Sequence, residues 1–122
     1  MITLDNVYRA SYALKNVIRK TDVIYAPKLC SEAQIYLKTE NLQITGSFKV
    51  RGAYIKMAGM TAEERACGVI ASSAGNHAQG VALAAKAFGC PATIVMPAGA
   101  PLSKVMATRE LGAKVVLQGT VY

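Results

Sequence analysis

The sequence has little of what metal or disulfide chemistry needs. One of its 122 residues is a histidine, His77, and three are cysteines, Cys30, Cys67 and Cys90, odd in number and widely spaced. With no CxxC pair and no second imidazole, a metal site is not expected, and reduced thiols predict a cytoplasmic setting. Long apolar runs are also missing, since Lys86, Gly89 and Pro91 interrupt the longest. The opening MITLDNVYR has no basic segment leading into an apolar one, so neither a membrane span nor a signal peptide is predicted. Acidic residues number 7 against 14 basic ones, yet only Arg19 and Lys20 stand side by side. The six tyrosines and two phenylalanines are not interleaved with the basic residues. No nucleic-acid partner is predicted.

Several catalytic signatures are absent as well. The stretch PAGAPLSK (97–104) has helix-start character but not the GxxxxGK[ST] order of a phosphate loop. No GxGxxG follows a strand, which leaves a dinucleotide site unsupported. No carboxylate pair suits glycoside hydrolysis, and Glu63 and Glu64 read as first-turn acids of a helix capped by Thr61.

What is present is apolar material, 52% of the residues, enough for one compact domain. Thr3 is positioned to cap a helix in which Val7, Ala10, Leu14 and Ile18 recur at helical spacing as far as Arg19 and Lys20. A connection through Pro27 leads to QIYLKTE, whose Ile35 and Leu37 alternate with polar neighbours and predict a short half-buried strand. Gly46 breaks the chain, and Ser47 is the expected N-cap of a helix containing Val50, Ala53, Tyr54 and Met57. Beyond Cys67 apolar runs alternate with helical patterns. GVIAS predicts a buried strand, SAGNH a tight turn, AQGVALAAKAF a helix and ATIVMP a second strand. PLSKVMATREL, closed by Gly112, predicts another helix, and AKVVLQ a third strand. This order implies an α/β fold, a parallel sheet with flanking helices joined by right-handed crossovers. Gly80, Ala82, Ala84 and Ala85 are expected to let the first of these helices approach the sheet. Composition shifts near residue 46, where a domain boundary is expected. Because the last strand should feed a further crossover, the chain is expected to be the N-terminal part of something larger.

Two stretches can carry chemistry. In ITGSFKVRGAY (44–54), Lys49 falls in the first turn of a helix, where the dipole disfavours a cation. Arg51 adds like charge, and Phe48 and Val50 can desolvate the amine; each lowers a lysine pKa toward what a Schiff base or a general base requires. The plainer reading is a surface charge. In SSAGNHAQG (72–80) a strand enters a small-residue turn and then a helix, offering free N–H groups to a carboxylate or phosphate, with Ser73, Asn76 and His77 as side-chain donors. The plainer reading there is that Ser73 or Asn76 caps the helix and Gly75 makes a turn.

Taken together, KTENLQITGSFKVRGA (38–53) and SSAGNHAQGVALAA (72–85) resemble the fold type II pyridoxal-phosphate enzymes, most closely the threonine dehydratases (threonine ammonia-lyases). GCPATIVMPAGAPLSKVMATRELGAKV extends the likeness. The resemblance implies that Lys49 holds pyridoxal 5'-phosphate as a Schiff base and removes the substrate's α-proton. It implies that Phe48 packs beside the cofactor ring, that Asn76 hydrogen-bonds the 3'-oxygen, and that Ser73, Ala74, Gly75, Asn76 and His77 grip the substrate carboxylate. Residues 1–45 would then begin a large cofactor domain, and 46–122 would form most of a small one. The implied reaction deaminates L-threonine to 2-oxobutanoate, or L-serine to pyruvate, in a homo-oligomer of amino-acid metabolism, with isoleucine biosynthesis as one setting. Serine racemases in the family carry a serine hydroxyl at the position matching Ala74, so alanine here favours elimination. Serine dehydratase and cysteine synthase-like replacement are neighbouring chemistries, and a non-enzymatic anion-binding α/β module is the alternative outside the family. The glycine-rich phosphate loop and the residue facing the pyridine nitrogen have no match in this chain, which alone is expected to be inactive.

Overall fold

The structure, a computed structural model, describes residues 1–120. Helix α1 (Leu4–Leu14) opens with a capping box, Thr3 accepting from the Asn6 N–H at 3.3 Å and Asn6 Oδ1 accepting from the Thr3 N–H at 2.9 Å. It ends before the predicted Lys20. Asn16, Val17 and Ile18 are weak helix formers, and the N–H groups of Val17 and Ile18 both turn back to the Leu14 carbonyl. The buried Gln43 amide then clamps Arg19 from both sides, accepting from its N–H and donating to its carbonyl, each at 2.8 Å.

Strand β1 (Val23–Tyr25) pairs antiparallel with β2 (Tyr36–Lys38), in the register Ile24 to Leu37. Sequence patterning gave β2 alone. All three of its residues are exposed, where alternation predicted a half-buried strand.

Three parallel strands form the second sheet, β3 (Val69–Ser72), β4 (Ala92–Met96) and β5 (Lys114–Leu117), in the order β3-β4-β5. The strand–helix alternation predicted this arrangement. In the central β4, Ile94 and Met96 are fully buried. Strand β3 is an edge, so the burial expected along GVIAS is incomplete and Ile70 is 79% exposed. Helices α4 (Asn76–Ala87) and α5 (Leu102–Glu110) connect the strands. Helix α2 (Lys49–Ala58) packs along α4, placing Ala53 and Met57 in the same core as Ala82, Ala85 and Ile94. Helix α3 (Ala62–Cys67) carries the expected Thr61 cap, in a capping box with Glu64. Among the described residues before Val50, Leu14 is the only buried hydrophobic side chain. The core therefore belongs to the chain from Val50 onward.

Candidate functional site

The site is built from three helix starts. Gly46, at φ +68°, takes the left-handed conformation that glycine accepts without cost, and the turn delivers the chain into α2. The N-cap is Phe48 rather than Ser47; Ser47 sits one place earlier and its Oγ accepts the Lys49 N–H at 3.4 Å. Lys49 is thus the first residue of α2. Its side chain is exposed while the next residue, Val50, is wholly buried and anchors the turn. Lys49 Nζ stands 5.0 Å from the centroid of the Phe48 ring, a cation–π contact.

Two of the three influences expected on the Lys49 amine are absent. Phe48 is 58% exposed and does not shield it from water. Arg51 is not a free like charge, because Glu40 binds it bidentately, Nε to Oε2 at 2.9 Å and Nη2 to Oε1 at 2.7 Å. Arg51 holds the Glu40 carboxyl down at about 2, aided by the Thr21 hydroxyl donating to Oε1 at 2.5 Å, and Glu40 in turn raises the Arg51 guanidinium.

The second helix start follows β3. The Ser73 N–H donates to the Val95 carbonyl at 3.0 Å, fixing the loop to the carboxyl end of the sheet, and Ser73 Oγ accepts the Gly75 N–H at 3.4 Å. Gly75 is the N-cap of α4, and no side chain caps that end. The plainer reading of Ser73 or Asn76 as a cap therefore fails: Ser73 serves Gly75, and Asn76 is already the first helical residue. The first N–H groups of α4 lack intrahelical partners by helix geometry. A Cβ at Gly75 would meet nothing within 4 Å, and its φ of −127° lies outside the left-handed region. Asn76 and His77 are both exposed.

Gly80 joins the two starts. Sequence reading gave it the role of bringing α4 close to the sheet, but its close approach is to α2. A Cβ there would stand 2.9 Å from the Lys49 carbonyl carbon, 3.0 Å from the Val50 nitrogen and 3.1 Å from the Lys49 carbonyl oxygen. Asn76 lies four residues earlier on the same face of α4, one turn nearer its N-terminus. The geometry thus brings Lys49 and Phe48 to the same end of the molecule as the loop from Ser73 to His77.

The third start is α5, after β4. Lys104 in its first turn donates from Nζ to Asn76 Oδ1 at 3.0 Å. Lys104 closes the PAGAPLSK stretch (97–104), which lacks the order of a phosphate loop. The signal was available, since a cation in a first turn is as anomalous at Lys104 as at Lys49. The loop from Ser73 to His77 and the start of α5 follow the carboxyl ends of β3 and β4, where open α/β sheets bind ligands. Among the described residues no group of three His, Cys, Asp or Glu could hold a metal ion, and no helix is long and apolar enough to cross a membrane.

An amine beside an uncapped helix start has relatives among known proteins. Residues 14–122 match the family model described as pyridoxal-phosphate dependent enzyme. The chain is 58% identical over 124 residues to an L-threonine ammonia-lyase of Thermotoga maritima, covering 100% of this chain and 31% of that protein. A threonine deaminase isoform from Solanum lycopersicum superposes with a TM-score of 0.81 at 39% identity, over 98% of this chain and 35% of that one. Serine racemase from Dictyostelium discoideum does so with a TM-score of 0.88 at 34% identity, over 97% and 39%. The chain spans about a third of the length of these relatives.

Proposed function

From the premise that this chain belongs to the pyridoxal-phosphate dependent enzyme family, we propose that the protein of its relatives' length deaminates L-threonine to 2-oxobutanoate and ammonia, and L-serine to pyruvate and ammonia. The observation that carries this reading is the seating of Lys49 against α4, one turn below Asn76. The donor set fits the cofactor: a primary amine open to solvent, an aromatic ring beside it, and an uncapped helix start where a Cβ is missing at Gly75. When bound, pyridoxal phosphate supplies the sink for charge developing at the substrate α-carbon.

The chain's own residues have distinct tasks in this proposal. Lys49 Nζ would hold the cofactor and would serve as the base for the α-proton. Phe48 flanks the ring, and the Asn76 amide donates to the 3'-oxygen. The N–H groups and side chains from Ser73 through Ala74, Gly75, Asn76 and His77 receive the substrate carboxylate. Ala74 offers only a methyl group, with no proton to exchange on the opposite face. Elimination is favoured over racemisation on that ground, despite the likeness in shape to a serine racemase.

We further assign residues 1–45 to a larger cofactor domain and 46–122 to a smaller one, supported by the near absence of buried hydrophobic side chains before Val50. A homo-oligomer in the cytoplasm completes the proposal, the location resting on three free thiols. Release of 2-oxobutanoate from threonine by the full-length, cofactor-loaded protein tests the reading. Turnover abolished by Lys49→Ala supports it, and no turnover of threonine or serine by the wild type overturns it.

A further inference from the structure

Lys104 has no place in the functions assigned so far, yet it is half-buried and makes one directed contact, from Nζ to Asn76 Oδ1 at 3.0 Å. An ammonium group is a donor only, whereas an asparagine amide has an accepting and a donating end. The amide must therefore turn its oxygen to Lys104 and its NH2 away. Without this partner the two orientations of an exposed amide differ little in energy, and one of them would aim an oxygen at any bound anion. Asn76 shares its helix face with Gly80, which lies against the Lys49 backbone, so the amide borders the space beside Lys49.

We infer that Lys104 is a positioning residue, locking the Asn76 amide so that Nδ2 donates to an anionic oxygen bound beside Lys49. Resting on the reading proposed above, that oxygen is the 3'-oxygen of pyridoxal phosphate. The helix carrying Lys104 follows β4 while the one carrying Asn76 follows β3. Their hydrogen bond thus couples two crossovers at the point where the ligand sits. The ammonium also polarises the amide it holds and strengthens the hydrogen bond on the far side.

The test uses the full-length protein, pyridoxal 5'-phosphate as probe, and the variants Lys104→Met and Lys104→Arg. The methionine variant should move the side-chain amide resonances of Asn76 in the cofactor-free protein, shift the visible absorption band of bound cofactor and weaken cofactor retention about tenfold, as loss of a charge-assisted contact implies. The arginine variant keeps a donor and should restore all three. A purely structural role would lower the melting temperature and leave the absorption band where it was. Cofactor bound at Lys49 with the band and the Asn76 resonances unmoved in Lys104→Met overturns this inference alone. Failure of the wild type to bind cofactor at Lys49 overturns it together with the functional reading.

Discussion

Gly80 on α4 lies so close to Lys49 on α2 that a single added Cβ would meet the Lys49 carbonyl carbon at 2.9 Å. The atoms it would strike are backbone, not the yielding end of a side chain. Gly80→Ala should therefore cost stability, about 1–2 kcal/mol after the roughly 1 kcal/mol that alanine gains in a helix interior. Equilibrium urea unfolding measures this, and a variant as stable as the wild type would show that α2 and α4 are not packed this closely.

Gly75 should behave in the opposite way. Its missing Cβ touches nothing, so Gly75→Ala should leave the stability of the cofactor-free protein within about 1 kcal/mol. Substrate affinity should fall instead, because the methyl group stands where a carboxylate must approach the backbone. A rise in KM for threonine at unchanged melting temperature is the expected pattern; unchanged KM would remove Gly75 from the carboxylate site.

The Glu40–Arg51 pair gives a pH signature. Arg51 holds the Glu40 carboxyl at about 2 against an ordinary 4.5. A depressed carboxylate contributes stability that is fully present above its unfolded value and is lost as pH falls through the folded one. The contribution is on the order of 2–3 kcal/mol, disappearing between about pH 4.5 and 2. Unfolding free energy followed over that window should fall less steeply in Glu40→Gln than in the wild type. Identical slopes would mean that the pair does not tie the N-terminal segment to α2.

On the proposed reading, Ala74 favours elimination over racemisation. In the full-length protein Ala74→Ser should raise racemisation of L-serine relative to deamination by about a hundredfold or more, the lower end of what a positioned acid–base group contributes. Chiral analysis of residual serine reads the ratio. An unchanged ratio would place the second face of the substrate elsewhere.

Periodicity was enough to find α2, α4, α5 and the parallel sheet, since each long apolar pattern has a core to face. It failed where other forces decide. Strand β1 is three exposed residues whose existence depends on pairing with β2, and no spacing rule detects so short a partner. Helix α1 stops short of Lys20 because residues 16–18 are weak helix formers, and Gln43, 24 residues from Arg19, holds the backbone beyond it. Around the candidate site, Lys49 and the turn at residues 73–77 were legible as helix starts, one carrying a cation and the other without a side-chain cap. Their adjacency was not, because it depends on Gly80 facing α2 rather than the sheet. The partners of Glu40 and Lys104 were not legible for the same reason: Arg51 and Asn76 lie 11 and 28 residues away in sequence.

The central claim is that Lys49 is the residue that holds the cofactor. Pyridoxal phosphate added to the full-length protein, reduced with borohydride and mapped by peptide mass spectrometry tests it most directly. One reduced adduct is expected, on the peptide containing Lys49, and none there in Lys49→Ala. An adduct spread over the exposed lysines, or concentrated on Lys104, would contradict it.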